Sequence, residues 1–222
     1  FCPDIIHFHC VQRLTSDLAL EAKERGIPYL ITMHDGWWIS DRQFLVNELG
    51  EVETYNYNDA EDTLERLGEK ALKRMNALKP ALEGASKLLT VSETFRTIVE
   101  ESGLQNVGVI QNGVSPMAVL PKPRADKITL GYLAGAAHYK GYHFMRAAIT
   151  KGQFDNLRLI VVDHSLRQEQ SINEYWGETE VERIGFVPQD KVAELYQRLH
   201  VVLVPSIWPE SFGLVAREAL LS

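Results

Sequence analysis

Seven short apolar runs punctuate the chain, at residues 5–8, 29–32, 88–91, 107–110, 128–133, 157–162 and 201–204. Each is too short for a helix and rich in β-branched residues. Their apolarity is nearly continuous rather than alternating, which suits strands buried on both faces of a parallel sheet. Helical spacing fills many of the gaps. Residues 15–25 open on Thr15, a capping residue, and stop before Gly26, Ile27 and Pro28. Residues 64–78 carry an apolar stripe of Leu64, Leu67, Ala71, Met75 and Leu78. Residues 93–101 form a helix closed by Ser102 and Gly103, and residues 142–149 and 190–199 form two more. Asn112 and Gly113 read as a tight turn. Strand–helix alternation of this kind predicts an α/β architecture with right-handed crossovers.

The periodicity lapses at "NGVSPMAVLPKPRADK", where Pro116, Pro121 and Pro123 fall among polar residues. A domain boundary belongs here. Residues 1–117 form one Rossmann-like domain, residues 118–126 a linker, and residues 127–222 a second Rossmann-like domain. Two such domains commonly hold a ligand outside the carboxyl ends of their strands. The chain opens on a phenylalanine almost directly in a strand and closes in a helix without a stop signal, so both ends read as cut from a longer chain.

Composition narrows the partners. At 45% hydrophobic and 24% charged the chain is globular, and its net charge of −7 leaves no basic face for tracking nucleic acid. A small anionic ligand needs only a local cation and remains open. Cys2 and Cys10 do not make a disulfide framework and read as reduced thiols of a cytoplasmic protein. No run reaches membrane-spanning length, and no signal peptide is visible.

Chemistry concentrates in the closing stretch "WPESFGLVAREALLS". Ser211 can cap a helix starting near Phe212. The first-turn amides of Phe212, Gly213, Leu214 and Val215 would then face a ligand, with Gly213 allowing close approach. Glu210 and Glu218 could accept hydrogen bonds from sugar hydroxyls on either side of a phosphate. By spacing alone, a solvated acidic helix explains the two acids equally well.

The segment "ESFGLVARE" resembles the E-x7-E signature of retaining GT-B glycosyltransferases of family 4. "PDIIHFH", "PYLITMHDGWW", "LLTVSE", "VIQNGV", a "KG" after a strand, "IGFVPQDKVAELYQ" and "VVLVPSIWPESFGLVAREAL" follow in that family's order and cover nearly the whole chain. The resemblance implies a GT-B fold of two Rossmann-like domains. It implies a nucleotide-diphosphate sugar as donor, a carbohydrate or glycolipid as acceptor, and no metal or other cofactor. Glu210 resembles the glutamate that contacts the donor sugar, and Glu218 the one that holds the ribose. Lys140, in "HYKG", resembles the lysine that neutralises the diphosphate. An arginine that often precedes it is missing, and Gly135 or Ala136 stands in its place. His138 is a partial substitute, poorly charged at neutral pH. Asp163 and His164 replace glycines that commonly follow the preceding strand.

His34 resembles the family's active-site histidine in the first domain, and Asp35, Trp37 and Trp38 follow it where an acceptor sugar would lie. Core packing is the alternative for each of them. His7 and His9 share one strand face, and with His34 they could form a metal triad. The absence of an ordered carboxylate or cysteine partner argues against it, and one of the pair lining the cleft is the better reading. Arg13 and Arg42 are candidate acceptor contacts, with a solvated surface group as the alternative for each. The family usually proceeds by front-face attack, in which the departing diphosphate takes the acceptor's proton. That chemistry asks for positioning and charge stabilisation rather than a nucleophile. Three alternatives remain at this level: a nucleotide- or sugar-binding fragment without transfer, another GT-B enzyme such as a nucleotide-sugar epimerase, and a non-enzymatic interaction domain. Action at the cytoplasmic face of a membrane is compatible with lipid-linked acceptors, although no strongly basic amphipathic helix supports it.

Overall fold

The computed structural model describes residues 3–116 and 125–222. Residues 118–124 of the expected linker, and Cys2, lie outside the described residues. The chain forms two compact units. One comprises Phe1–Asn112 with Trp208–Phe212, the other Gly113–Ile207 with Gly213–Ser222.

The first unit holds a parallel sheet of β1 (Ile6–Phe8), β2 (Tyr29–Met33), β3 (Lys87–Thr90) and β4 (Gly108–Val109), in that spatial order. Helices α1 (Asp17–Glu24), α2 (Ala60–Glu83) and α3 (Glu93–Glu101) connect consecutive strands. Parallel neighbours require such crossovers. The core gathers Ile31 and Met33 of β2, the α2 stripe Ala71, Met75 and Leu78, and Phe95 and Val99 of α3. The predicted stripe therefore faces inward, as amphipathic spacing demands.

Helix α2 runs well beyond the expected residues 64–78 and is broken at Gly68, whose φ of 85° and ψ of 176° are not helical. Asp59 caps it by accepting from the amides of Glu61 and Asp62. Thr15 is not the cap of α1: it has φ of 72°, and α1 begins after Ser16. The turn expected at Asn112 and Gly113 is absent, because residues 111–116 run without a turn.

The second unit holds a five-stranded sheet in the order β7-β8-β6-β5-β9. Its strands are β5 (Ile128–Tyr132), β6 (Leu157–Val162), β7 (Ser171–Trp176), β8 (Thr179–Ile184) and β9 (Val201–Val202). Four are parallel, and β7 alone pairs antiparallel, with β8. Helix α4 (Tyr142–Gly152) packs Tyr142, Met145 and Ile149 on one face of the sheet. Helix α5 (Val192–Gln197) contributes Leu195 and Tyr196 to a cluster with Ile160 and Val162 of β6. Helix α6 (Leu214–Leu220) ends the chain.

Sequence patterning misses the hairpin of β7 and β8. Its strands, SINEYW and TEVERI, are half polar or more and carry no continuous apolar run, and exposed positions outnumber buried ones in β7. The helix expected at residues 190–199 divides into a 3-10 turn, Gln189–Lys191, followed by α5. The sequence-based expectation of two α/β domains built on parallel sheets describes the observed architecture, with β7 as the antiparallel addition.

Ser92 caps α3 by accepting from the Phe95 amide at 3.1 Å. Replacing Ser92 with Ala is expected to cost about 1 kcal/mol. Urea denaturation should show it as a lowered midpoint with an unchanged slope.

Candidate functional site

In the second unit, β5 ends beside β6 on one side and β9 on the other, and all three run parallel. Their carboxyl ends therefore open on one edge, where ligands of α/β sheets gather. The loop after β5 carries Gly135, His138 and Lys140. Gly135 has φ of 70°, and a Cβ there would lie 3.0 Å from Nδ1 of His164, the second residue after β6. Residues His138–Lys140 make a 3-10 turn. Gly141 then adopts φ of 73°, and a Cβ on it would fall 2.0 Å from the carbonyl oxygen of Pro205. No other residue fits there, for reasons of both backbone and space.

Tyr132 holds this turn from below. Fully buried, it directs its hydroxyl at the carbonyls of Gly135 (2.9 Å) and Lys140 (3.1 Å). Burial, with smaller contributions from Tyr142 and Tyr139, pushes its phenol up to about 12, so it remains a donor. The Ile207 amide donates to the Tyr139 carbonyl at 3.0 Å. The Lys140 backbone is thereby tied both to β5 and to the segment following β9.

Helix α6 differs from the expectation in one respect. Ser211 does not cap it; Gly213, at φ 71° and ψ 53°, occupies the cap position, and the helix starts at Leu214. The Arg217 amide already reaches the Gly213 carbonyl at 3.2 Å. The amides of Leu214, Val215 and Ala216 are thus the ones without an acceptor inside the helix, and Phe212 lies outside it.

Glu218 lines a cavity of about 490 Å³ with Leu214, Ala193, Gln189 and residues 113–116. The Tyr196 hydroxyl, on α5, lies 3.2 Å from both Glu218 Oε2 and the Val215 carbonyl. Burial and then the Glu218 charge push the Tyr196 phenol upward, which keeps its proton available for that carboxylate. Sequence reasoning missed Tyr132, Tyr196 and Gln189. The two tyrosines act from beneath the loops, and in sequence they look like ordinary core aromatics.

Asp163 and His164 have separate fates. Asp163 is buried and bonds the Arg183 guanidinium of β8 and the amide and hydroxyl of Ser165. Burial raises its pKa, but the Ser165 and Arg183 hydrogen bonds outweigh this and hold the carboxyl at about 2. It braces the β6 end against β8. His164 faces Gly135.

In the first unit, His34 and Asp35 follow β2. Asp35 is buried, and three donors reach its carboxylate: the Trp37 amide at 3.0 Å, Gln12 at 3.0 Å and Gln43 at 2.7 Å. It caps the 3-10 turn Gly36–Trp38. Trp38 is a core residue. Trp37 is half-buried, with the Arg74 guanidinium 4.8 Å from its ring centroid and Arg74 donating to its carbonyl at 2.7 Å. Arg42 is held by Glu48 and Glu53, while Arg13 is exposed.

His7, His9 and His34 do come together. His9 Nδ1 lies 2.9 Å from His34 Nε2, and His7 Nε2 lies 2.7 Å from the Thr32 hydroxyl. Their nitrogens are directed at each other and at Thr32, and among the described residues no group of three His, Cys, Asp or Glu is arranged to hold a metal ion. Cys10 is an exposed free thiol. Glu210 belongs to the Trp208–Phe212 segment of the first unit, where Trp208 is buried with its ring centroid 5.2 Å from that of Phe44.

The family model described as "Glycosyltransferase Family 4" matches residues 1–117, more than half the chain. The chain belongs to glycosyltransferase family 4. A second model, "Glycosyl transferases group 1", matches residues 120–222. No curated protein matches the family 4 chain. Among solved structures it is similar to Anabaena Alr3699/HepE in complex with UDP-glucose, at 18% identity and a TM-score of 0.62, over 98% of this chain and 57% of that one. The catalytic domain of starch synthase IV from Arabidopsis thaliana, bound to ADP and acarbose, gives 16% identity and a TM-score of 0.57 over 98% and 55% of the two chains. A glycosyltransferase from Rickettsia africae gives 15% and 0.51 over 100% and 78%. The family 4 chain thus spans little more than half the length of the first two relatives. Among its described residues, no helix is long and apolar enough to cross a membrane.

The Asp163 carboxyl, depressed in the folded state, contributes stability above its ordinary range near pH 4. That contribution is lost as pH falls toward 2. Urea midpoints measured against pH should therefore place Asp163→Asn below the native chain at neutral pH, with the gap narrowing below about pH 4.

Proposed function

We propose that this protein is a retaining glycosyltransferase that moves a sugar from a nucleotide-diphosphate donor to an acceptor hydroxyl. The observation that carries the reading is the cavity beside α6, lined by Glu218, whose carboxylate Tyr196 holds in place. A carboxylate fixed by a buried phenol is a suitable acceptor for a pair of ribose hydroxyls. Gln189 and residues 113–116 supply the remaining wall, of a size suited to a nucleoside. The ligands of two similar structures, UDP-glucose and ADP with acarbose, support a nucleotide donor and a carbohydrate acceptor.

The second unit is then the donor side and the first unit the acceptor side. The donor's diphosphate calls for a positive charge beside it. The charge falls to Lys140, on a turn that Tyr132 and Gly141 make rigid. Gly135, against the His164 ring, belongs to the same donor loop, and His138, exposed on the turn, adds a donor. Phe212, Gly213, Leu214 and Val215 lie along the diphosphate, and Glu210 receives hydroxyls of the donor sugar. The family resemblance assigns His34 a role at the reacting sugar. Trp37 offers its half-buried ring to the acceptor. Asp35 serves it by fixing the Gly36–Trp38 turn, because its own oxygens already receive three donors.

In the transfer step, the acceptor oxygen bonds to the anomeric carbon on the face the diphosphate leaves. The carbon–oxygen bond to phosphate breaks, and the acceptor's proton passes to the departing phosphate oxygen. The protein's part is orientation and stabilisation of the growing negative charge, which is where Lys140 acts. The cytoplasm, or the cytoplasmic face of a membrane bearing a glycolipid acceptor, is the setting this chemistry fits.

Calorimetric titration with a panel of nucleosides and nucleoside diphosphates tests the donor assignment. Lys140→Ala should weaken diphosphate binding at least tenfold while leaving nucleoside binding nearly unchanged. Equal losses for both would remove Lys140 from the diphosphate. A second measurement concerns Glu210→Ala, which should abolish transfer yet leave the nucleoside diphosphate bound. Undiminished turnover in that variant would sink the role given to Glu210, and nucleotide binding without any turnover by the native protein would favour a non-catalytic module.

A further inference from the structure

His34 is not an isolated imidazole at the end of β2. β1 and β2 pair with Phe8 opposite Ile31, so His9 comes level with Thr32, two residues before His34 on β2's side of the sheet edge. His9 follows β1 immediately, and its ring meets that of His34 with centroids 5.2 Å apart and planes inclined by 31°. Nδ1 of His9 and Nε2 of His34 are separated by 2.9 Å. On the far side of His9 lies His7, with a centroid separation of 4.1 Å, its own Nε2 engaged with Thr32.

Two ring nitrogens at that distance share one proton. With none between them, two lone pairs would face each other; with two, a pair of N–H groups would collide. Bonding therefore couples the tautomer of one ring to that of the other. We propose that His9 is a positioning residue for His34: it donates from Nδ1 to His34 Nε2, and so fixes His34 as the neutral tautomer with its proton on Nδ1. This inference rests on the reading of His34 as a site residue.

Three features set the direction of the bond. His9 is exposed, whereas His34 is half-buried, so water satisfies the outer nitrogen of His9 when its Nδ1 donates inward. The groups facing His34 divide in sign: His9 and His7 oppose its protonation, while Asp35 favours it. Burial is the largest influence and, with the two imidazoles, holds His34 below the ordinary histidine range. Asp35, meanwhile, is engaged by Trp37, Gln12 and Gln43. The outcome is an imidazole that offers an N–H to a sugar oxygen across the pH range in which a free histidine would begin to charge.

Long-range proton–nitrogen NMR spectra of the protein, recorded from about pH 5 to 9, read tautomer and titration of each ring directly. In the native protein, His34 should show the Nδ1-protonated pattern. His9→Ala should release it to the Nε2-protonated form and raise its titration midpoint. His9→Asn places an amide nitrogen near the lost Nδ1 and should restore the native tautomer without a titrating partner. An unchanged His34 tautomer and midpoint in His9→Ala would overturn the proposal. Kinetics separate this from the reading beneath it. His9→Ala should lower kcat about tenfold or more with KM for the donor little changed, and His9→Asn should recover most of it. Full kcat in His9→Ala, when His34→Ala is inactive, would also overturn the positioning role. Full activity in His34→Ala would overturn instead the placement of His34 in the site.

Discussion

The carbonyl oxygen of Pro205 occupies the place where a side chain at residue 141 would begin. That exclusion governs the second unit's loop edge. It brings the turn after β5 against the segment after β9, and only a glycine with positive φ lets the chain pass. Parallel pairing of β5 with both neighbours supplies the frame, and the Tyr132 hydroxyl supplies the tie from below. Lys140 is therefore mounted on backbone that cannot relax independently of the sheet. A charge meant to meet a developing anion gains most when it needs no rearrangement at the moment of reaction.

Aromatic hydroxyls recur as supports. Tyr132 restrains the turn that carries Lys140, and Tyr196 restrains Glu218. In the first unit, Tyr55 donates to Asp41 at 2.6 Å and receives from Arg74, which in turn holds the carbonyls of Trp37 and Ser40. Each phenol has its ring in the core and reaches two polar groups at its rim. Burial of this kind provides a large apolar body and satisfies the hydroxyl at the same time. Lys140, Glu218 and Trp37 are thus held at one remove, by residues of the core.

Much of the fold was legible because parallel strands are buried on both faces and leave continuous apolar runs. Residues 157–162 coincide with β6 for that reason. The β7–β8 hairpin was not legible: Ser171–Trp176 presents a mostly exposed edge strand, where packing places little demand on residue type. The helix at the chain's end was legible but its start was not. Ser211 has the chemistry of a cap, yet it is buried in the first unit, and the αL geometry of Gly213 takes its place. Among candidate site residues, a strand end pointed to His34, strand spacing grouped His9 with it, and the "HYKG" resemblance pointed to Lys140. Tyr132 beside Lys140 and Tyr196 beside Glu218 look like ordinary core aromatics in sequence, and only the packing of the loop after β5 and of α5 against α6 shows their contacts. Asp35 carries the same lesson in reverse, since a carboxylate next to a site histidine proves to be a backbone cap.

The path of the chain has a practical side. Trp208–Phe212 belongs with the first unit although the residues before and after it belong to the second. Dividing the protein once, after Asn112, would strand that short segment, and Trp208 with it, on the wrong piece. Phe44 would lose its aromatic neighbour, and the second unit would inherit an apolar surface that normally has cover. Anyone expressing the halves separately would need either a circular permutation or a replacement for the borrowed strip.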